Sequence, residues 1–337
     1  MIASYDTINL MKWKPINFAL TSEILTAYAE IERLTGKVEG VQLSRSTPKL
    51  RKKNLARTVW GSTGIEGSSS SIEQVEALMR GETVTLSKKE QLEIINALNA
   101  YAGVSSYDPF SLDSLLRAHA QLMKGLMLNA GNFRQEPVEV YISEFKTRAM
   151  PSWQIVPQSM EMLFETLRSS KEPMLFKSIR FHFDFVNLHP FTDGNGRAAR
   201  LWQTRLMMEE HSVFEFLDVE SIIFERRDEY YQQIRSGQKR NDINGFVRFM
   251  LTQIKLSLES LWEKSGSVIP SCGERLSIAA GFFGAESFTR KDYVQLFKTI
   301  SSVTASRDLS SGFKNNLLRR TGDKRTSVYR FKSENGS

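Results

Sequence analysis

The chain has 337 residues, of which 41% are hydrophobic and 25% charged, with a formal net charge of +7. That length supports a sizeable core and two or three units, and the composition is that of a soluble globular protein. No run approaches the roughly 18 consecutive apolar residues that span a membrane, and one cysteine, Cys272, excludes an internal disulfide.

Met1–Asp6 lacks the basic-then-apolar pattern of a secretion signal, so with the lone cysteine a reducing cytoplasm is the expected setting. The positive charge is unevenly placed. From Arg290 to the end there are eleven Lys/Arg and four Asp/Glu, while the other 289 residues balance at 34 against 34. A basic tail of this kind points to contact with nucleic acid.

In chain order, Ile24, Leu25, Tyr28, Ile31 and Leu34 recur at helical spacing, which predicts a helix over Thr21–Leu34 ended by Gly36. Ser71-Ile72-Glu73-Gln74 fits a capping box and opens a second helix that stops near Gly81. Helices are also expected over Ser87–Tyr101 and Ser111–Met127, the latter burying His119 as a packed core residue. After Gly131-Asn132-Phe133-Arg134 the pattern alternates, and Val138–Ile142 should pair with Trp153–Val156 as a hairpin. Helices follow at Gln158–Ser169 and Phe176–Leu188, with His182 structural. Others are expected at Glu225–Gly237, carrying Tyr230 and Tyr231, and at Asn244–Trp262, with His211 structural. Ser265–Gly273 has the composition of a linker, which would contain Cys272. Helices at Thr289–Phe297 and Thr304–Leu318 then lead to a basic hairpin over Leu318–Phe331.

The densest chemistry lies in the loop His189-Pro190-Phe191-Thr192-Asp193-Gly194-Asn195-Gly196-Arg197-Ala198-Ala199-Arg200. The preceding helix should stop at or before His189, because a residue before proline is pushed out of the α region. A Gly-x-Gly turn permits positive φ and exposes successive N–H groups, and at a helix start such a nest favours an anion. Arg197 and Arg200, three apart, share the face behind it. Two guanidiniums above a nest suit a polyphosphate. Asp193 is the oxygen donor that Mg²⁺ prefers when it also holds phosphates, and His189 can accept a proton near neutrality.

This stretch resembles the full signature of the Fic family, His-x-Phe-x-Asp/Glu-Gly-Asn-Gly-Arg-x-x-Arg, and departs from it at no signature position. The resemblance implies a mainly α fold and transfer of AMP from ATP to a Ser, Thr or Tyr hydroxyl of a target protein. It makes His189 the base, Asp193 the Mg²⁺ ligand, and Gly194, Asn195 and Gly196 the phosphate cradle. Arg197 would meet the β-phosphate, Arg200 the γ-phosphate, and Phe191 would anchor the loop in the core. Family members share the loop across related reactions, so removal of AMP or transfer of another phosphate-containing group is the alternative.

Further expectations follow from the same resemblance. Ser62-Thr63-Gly64-Ile65-Glu66-Gly67 is similar to the family's inhibitory motif, Ser/Thr-x-x-x-Glu-Gly/Asn, which implies that Ser62, Glu66 and Gly67 hold the enzyme in check, with Gly67 leaving room for close approach. The hairpin corresponds to a flap on which a target strand adds, and Tyr231 to a ring beside the adenine. The C-terminal helices and basic hairpin resemble a winged helix-turn-helix, which makes DNA a partner or the protein a nucleotide-sensing DNA-binding regulator. Such modules also serve docking and dimerisation, which leaves self-modification and a homodimer open. The expected organisation is a helical region over 1–110 with the inhibitory segment, a catalytic core over 111–262, a linker over 263–275 and a winged helix over 276–337.

Overall fold

The computed structural model describes residues 14–42, 48–139, 141–142, 145–146, 150–267, 271–297, 300–323 and 327–332. In chain order the elements of the first part are α1 Ser22–Gln42, α2 Pro48–Ile65, α3 Ile72–Met79, α4 Lys88–Ala102 and α5 Leu112–Leu122. After β1 Tyr141–Ile142 and β2 Phe145–Lys146 come α6 Val156–Ser169, α7 Met174–Leu188, α8 Asn195–Met207, α9 Val219–Glu225, α10 Arg227–Arg240 and α11 Asn244–Ser267. The last part holds α12 Cys272–Phe283, β3 Phe288–Thr289, α13 Arg290–Phe297, α14 Ser302–Lys314, β4 Leu318–Thr321 and β5 Val328–Phe331. The fold is mainly helical. The chain divides into two compact units, one of residues 1–37 and 47–261, the other of residues 38–46 and 262–337.

In the first unit α7 and α8 form the centre. Phe181, Phe185, Leu188, Phe191, Ala199, Leu201 and Trp202 are buried there with Leu115 and Leu122 of α5, Ile94 and Ala97 of α4, and Phe164 of α6. Each fully buried side chain of this size contributes about 1.5–3 kcal/mol relative to exposure. The loop between α7 and α8 is therefore hung between two helices that are wet on almost no face. Around it α2 crosses α9 at very short range: a Cβ on Gly61 would stand 2.3 Å from the Ser221 backbone nitrogen, so only glycine permits this packing. Capping boxes open α3 at Ser71 and Gln74, and α4 at Ser87 and Glu90.

Several boundaries differ from the sequence expectation. α1 runs through Gly36 to Gln42, because nothing follows that glycine to break the ladder and the tolerance for one helical glycine is about 1 kcal/mol. Trp153–Ile155 is a single 3₁₀ turn that starts α6, not a strand; Tyr141–Ile142 pairs instead with Phe145–Lys146. Pro157 near the start of α6 suits a helix N-terminus. Val140 lies outside the described residues.

The second unit packs three helices on a three-stranded antiparallel sheet of order β3-β5-β4. Leu276, Ala279, Phe288, Tyr293, Phe297, Leu309 and Leu318 form its own core. The buried pair Arg275–Asp308 closes it, at 2.5 and 2.7 Å. The expected linker is helix up to Ser267 and again from Cys272, and residues 268–270 lie outside the described set. Ser271 caps α12 with Glu274 in a capping box, so Cys272 is the first residue of a helix the composition had hidden.

Candidate active site

α7 ends where proline dictates. His189 takes the left-handed conformation at φ 52, its N–H donating to the Phe185 carbonyl at 2.9 Å, and turns the chain into the loop. Asn195 then closes the loop on itself. Its Nδ2 donates to the Phe191 carbonyl at 2.8 Å and its Oδ1 accepts from the Phe191 N–H at 2.9 Å. Both polar atoms of that side chain face inward, so Asn195 can offer only its backbone N–H to a phosphate. Phe191 is fully buried and lies flat on His119, ring centroids 3.5 Å apart.

His119 does more than fill space. Its Nδ1 accepts from the Gly131 N–H at 2.9 Å, which leaves the proton on Nε2, 2.9 Å from the Asp193 carbonyl it donates to. Burial pushes its pKa down to about 4, so the ring is neutral and the tautomer is set by Gly131. The sequence marked His119 only as core. No spacing signals the bond to Asp193, since the two are 74 residues apart.

His189 is likewise shifted down to about 4. Burial is the main cause, the Arg134 charge adds to it, and a hydrogen bond to the Val186 backbone works the other way. The imidazole is therefore neutral at pH 7 and free to take a proton. Asp193 stands out from the loop with its side chain 63% exposed, and its Oδ1 accepts from the Gly194 N–H at 2.6 Å. Among the described residues no group of three His, Cys, Asp or Glu could cage a metal. Asp193 fits an ion that takes its other oxygens from phosphates and water, as Mg²⁺ does in phosphate sites.

Of the two loop glycines only Gly194 uses positive φ, at 80, and it precedes the first residue of α8. Gly196 is inside that helix. A Cβ there would lie 2.4 Å from Glu66 Oε1 and 3.1 Å from Arg200 Nη1. Glu66 therefore rests its carboxylate on the start of α8, where orphan N–H groups and the helix dipole favour an anion. Its Oε1 accepts from Arg200 Nη2 at 2.7 Å. Ser62 takes the same guanidinium from one turn back, its carbonyl accepting from Nη2 at 2.9 Å and its Oγ from Nε at 3.3 Å. Gly67, at φ 100, meets nothing within 4 Å of a notional Cβ. Its positive φ just beyond α2, rather than a close approach, is what favours glycine, which corrects the expectation of close approach there.

Behind Ser62 lies a second row that the sequence did not disclose. The buried Tyr101 hydroxyl donates to Glu220 Oε1 at 2.9 Å and reaches Ser62 Oγ at 3.3 Å, and Thr204 Oγ1 donates to the same Glu220 oxygen at 3.3 Å. Burial pushes the Glu220 carboxyl up to about 7. Arg197 has looser company: Asp193 Oδ1 at 3.3 Å from Nη2 and Glu93 Oε1 at 3.8 Å from Nη1, with its Nε buried and unpartnered. Tyr230 is core, bonded to His182, while half-buried Tyr231 donates to the Ile65 carbonyl at 3.1 Å and so braces the end of α2 beside Glu66. His182 also contacts Gln203, and His211 lies 3.2 Å from Glu32, consistent with structural roles for both.

Residues 109–207 match the Fic/DOC family model. That stretch is similar to a Fic/DOC domain. Its match covers the loop, the helices on either side and the His119 and Arg134 segment. Two relatives are named protein adenylyltransferases. That of Caenorhabditis briggsae is 27% identical over 63% of this chain and 43% of its own length. That of Nematostella vectensis is 26% identical over 57% of this chain and 45% of its own. The chain thus spans less than half the length of these curated relatives. A solved Fic family protein from Desulfovibrio desulfuricans G20 is 27% identical, with a TM-score of 0.72 over 96% of this chain and 100% of that one. The Fic/DOC fold therefore accounts for the architecture around the loop. No helix among the described residues is long and apolar enough to cross a membrane.

Proposed function

We propose that this chain is a protein adenylyltransferase, moving AMP from ATP to a Ser, Thr or Tyr hydroxyl of a target protein, and that Glu66 holds it back. One observation carries the reading. The Glu66 carboxylate lies 2.7 Å from Arg200 Nη2 and over the first turn of α8, the seat that helix dipole and guanidinium prepare for a phosphate. The names of the relatives support the chemistry, and the neutral His189 supports the base.

In this mechanism the acceptor hydroxyl loses its proton to a ring nitrogen of His189 as its oxygen attacks the α-phosphorus. The bond from that phosphorus to the bridging oxygen breaks, and pyrophosphate leaves. Gly194, Gly196 and the Asn195 backbone line the phosphates, while Arg197 and Arg200 hold the β- and γ-phosphates. Asp193 would hold Mg²⁺, which when bound supplies charge neutralisation on the phosphate oxygens. Tyr231 is proposed at the adenine side, and a target strand on the hairpin.

The test is incorporation of labelled AMP from ATP into protein, including the chain itself, in a Glu66→Gly background. His189→Ala should abolish incorporation while ATP binding stays within about twofold. Asp193→Ala should weaken the Mg²⁺-dependent part of ATP binding. Undiminished incorporation by the His189→Ala variant would remove the base from this site.

A nucleotide-sensing DNA-binding regulator is the second reading, and one feature favours it. Arg307, Ser310, Ser311 and Lys314 of α14 line an open groove, and Arg319, Arg320 and Arg330 are exposed on the adjoining β4 and β5. A winged helix using this face would bind duplex DNA with a steep salt dependence, and losing Arg319 and Arg320 together should lower that slope by about two. Salt-independent retention, or none at low ionic strength, would set this reading aside.

A further inference from the structure

The geometry points to Arg134 as a positioning residue that joins both ends of the hairpin segment to the backbone of His189. The inference deepens the transferase reading and rests on it for what the base does. Arg134 is 1% exposed, and among the described residues its guanidinium donates to backbone carbonyls rather than to a carboxylate. Its guanidinium is instead surrounded by carbonyls from three places. Nε donates to the His189 carbonyl at 2.8 Å, Nη1 to Glu136 at 3.3 Å and Nη2 to Pro151 at 2.5 Å. Its backbone N–H adds a bond to the Pro190 carbonyl at 2.9 Å.

This is an unusual place for a cation. A buried arginine normally answers a carboxylate, since removing its charge from water is costly without one. Here burial alone lowers its pKa, and only hydrogen bonds to carbonyls compensate. A neutral side chain would fill the space without that penalty, so the fork must be needed for its shape. A guanidinium offers donors in three fixed directions in one plane, which no other side chain does. One such plane sets the distance between Glu136, Pro151 and His189. Glu136 and Pro151 bracket the segment that carries β1 and β2, on which the proposed acceptor docks. A strand added there is thereby registered against the histidine that must take its hydroxyl proton, and a misplacement of about 1 Å can cost 10²-fold in rate.

The guanidinium also acts on His189 through space. Its charge helps hold the imidazole low, alongside burial and against the carboxylates of Glu66 and Asp193 that face the same ring. Replacing the charge therefore has a readout beyond structure. With Arg134→Gln the His189 pKa rises, and the acid limb of the transfer profile moves to higher pH. With Arg134→Lys the charge stays and the limb does not move.

The experiment uses the full chain with Glu66→Gly as parent, and adds Arg134→Gln and Arg134→Lys, each checked for folding by thermal melting. Amide hydrogen exchange over residues 135–139 and 150–152 should speed up at least tenfold in both variants. AMP incorporation should fall tenfold or more in the Gln variant and several-fold in the Lys variant, with ATP affinity within twofold. Exchange unchanged over 135–139 and 150–152, or incorporation within twofold of the parent, overturns the proposal. Should the Gln variant not fold, the same two measurements on the Lys variant decide. If the parent incorporates no AMP, the transferase reading fails, while the exchange measurement still judges the clamp.

Discussion

The two arginines of α8 sit three residues apart and the fold treats them in opposite ways. Arg200 is saturated: Glu66 at 2.7 Å, the Ser62 carbonyl at 2.9 Å and the Ser62 hydroxyl at 3.3 Å. Arg197 is nearly as buried, yet its contacts are 3.3 and 3.8 Å long and its Nε has no partner. An unmet buried donor costs about 1–3 kcal/mol. An arriving anion therefore improves matters at Arg197 and must compete for Arg200. On the proposed reading, inhibition is local to one end of the phosphate seat, at Arg200, while Arg197 at the other end keeps a donor without a partner.

The strongest way to break that asymmetry is to remove the competitor. A charge-assisted bond of this kind contributes roughly 1.5–3 kcal/mol, so Glu66→Gly should raise AMP incorporation by about 10–100-fold at equal protein concentration. Equal incorporation by the two proteins would make Glu66 a bystander. Ser62→Ala tests the second contact: it deletes the 3.3 Å bond but keeps the carbonyl, so a gain of about two- to five-fold is expected in the same assay. A gain as large as that of Glu66→Gly would mean the serine, not the carboxylate, is the latch.

Smaller effects sharpen the Arg197 side. Glu93 is 3.8 Å away, and ion pairs with this little geometry contribute about 0–1 kcal/mol. Glu93→Gln should accordingly change ATP affinity by less than about fivefold in the Glu66→Gly background, measured by calorimetry. A larger change would show that Arg197 is held after all. The smallest effect on activity is expected from Glu220, although it reports on stability. Burial raises this carboxyl to about 7, above its unfolded value, so the native state keeps a proton that the unfolded chain has lost. Its contribution is present below about pH 4.5 and is lost as pH rises towards 7. Glu220→Gln should flatten that part of the decline in melting temperature, by at most about 3 kcal/mol of stability across the window. Identical pH dependence of the two melts would mean Glu220 is ionised throughout. Asp184, also raised to about 7 by burial, is common to both proteins and cancels in the difference.

Much of this site was legible in the chain itself because its parts are local. The stop before Pro190, the positive-φ glycine at 194 and the pairing of Arg197 with Arg200 on one helical face all follow from neighbours within a dozen residues. Capping boxes at Ser71 and Ser87 are local for the same reason. The hairpin lies in the expected segment but pairs with Phe145–Lys146, since alternation in Trp153–Val156 is equally satisfied by a 3₁₀ turn running into α6. The helix from Cys272 is not signalled in the sequence because Ser, Gly and Pro precede it, and composition cannot distinguish a capped helix start from a linker.

By itself, then, the sequence determined the turn from α7 to α8, the residues presented on it and the resemblance that marks a Fic/DOC domain. Those depend on steric rules and hydrogen bonds between near neighbours. Only the tertiary structure decided how the loop is held and how it is opposed. His119 reaches Asp193 across 74 positions, Arg134 reaches His189 across 55, and Glu66 reaches Arg200 across 134. Contacts at such separations depend on where rigid helices come to rest once their apolar faces are buried. No periodicity along the chain encodes that.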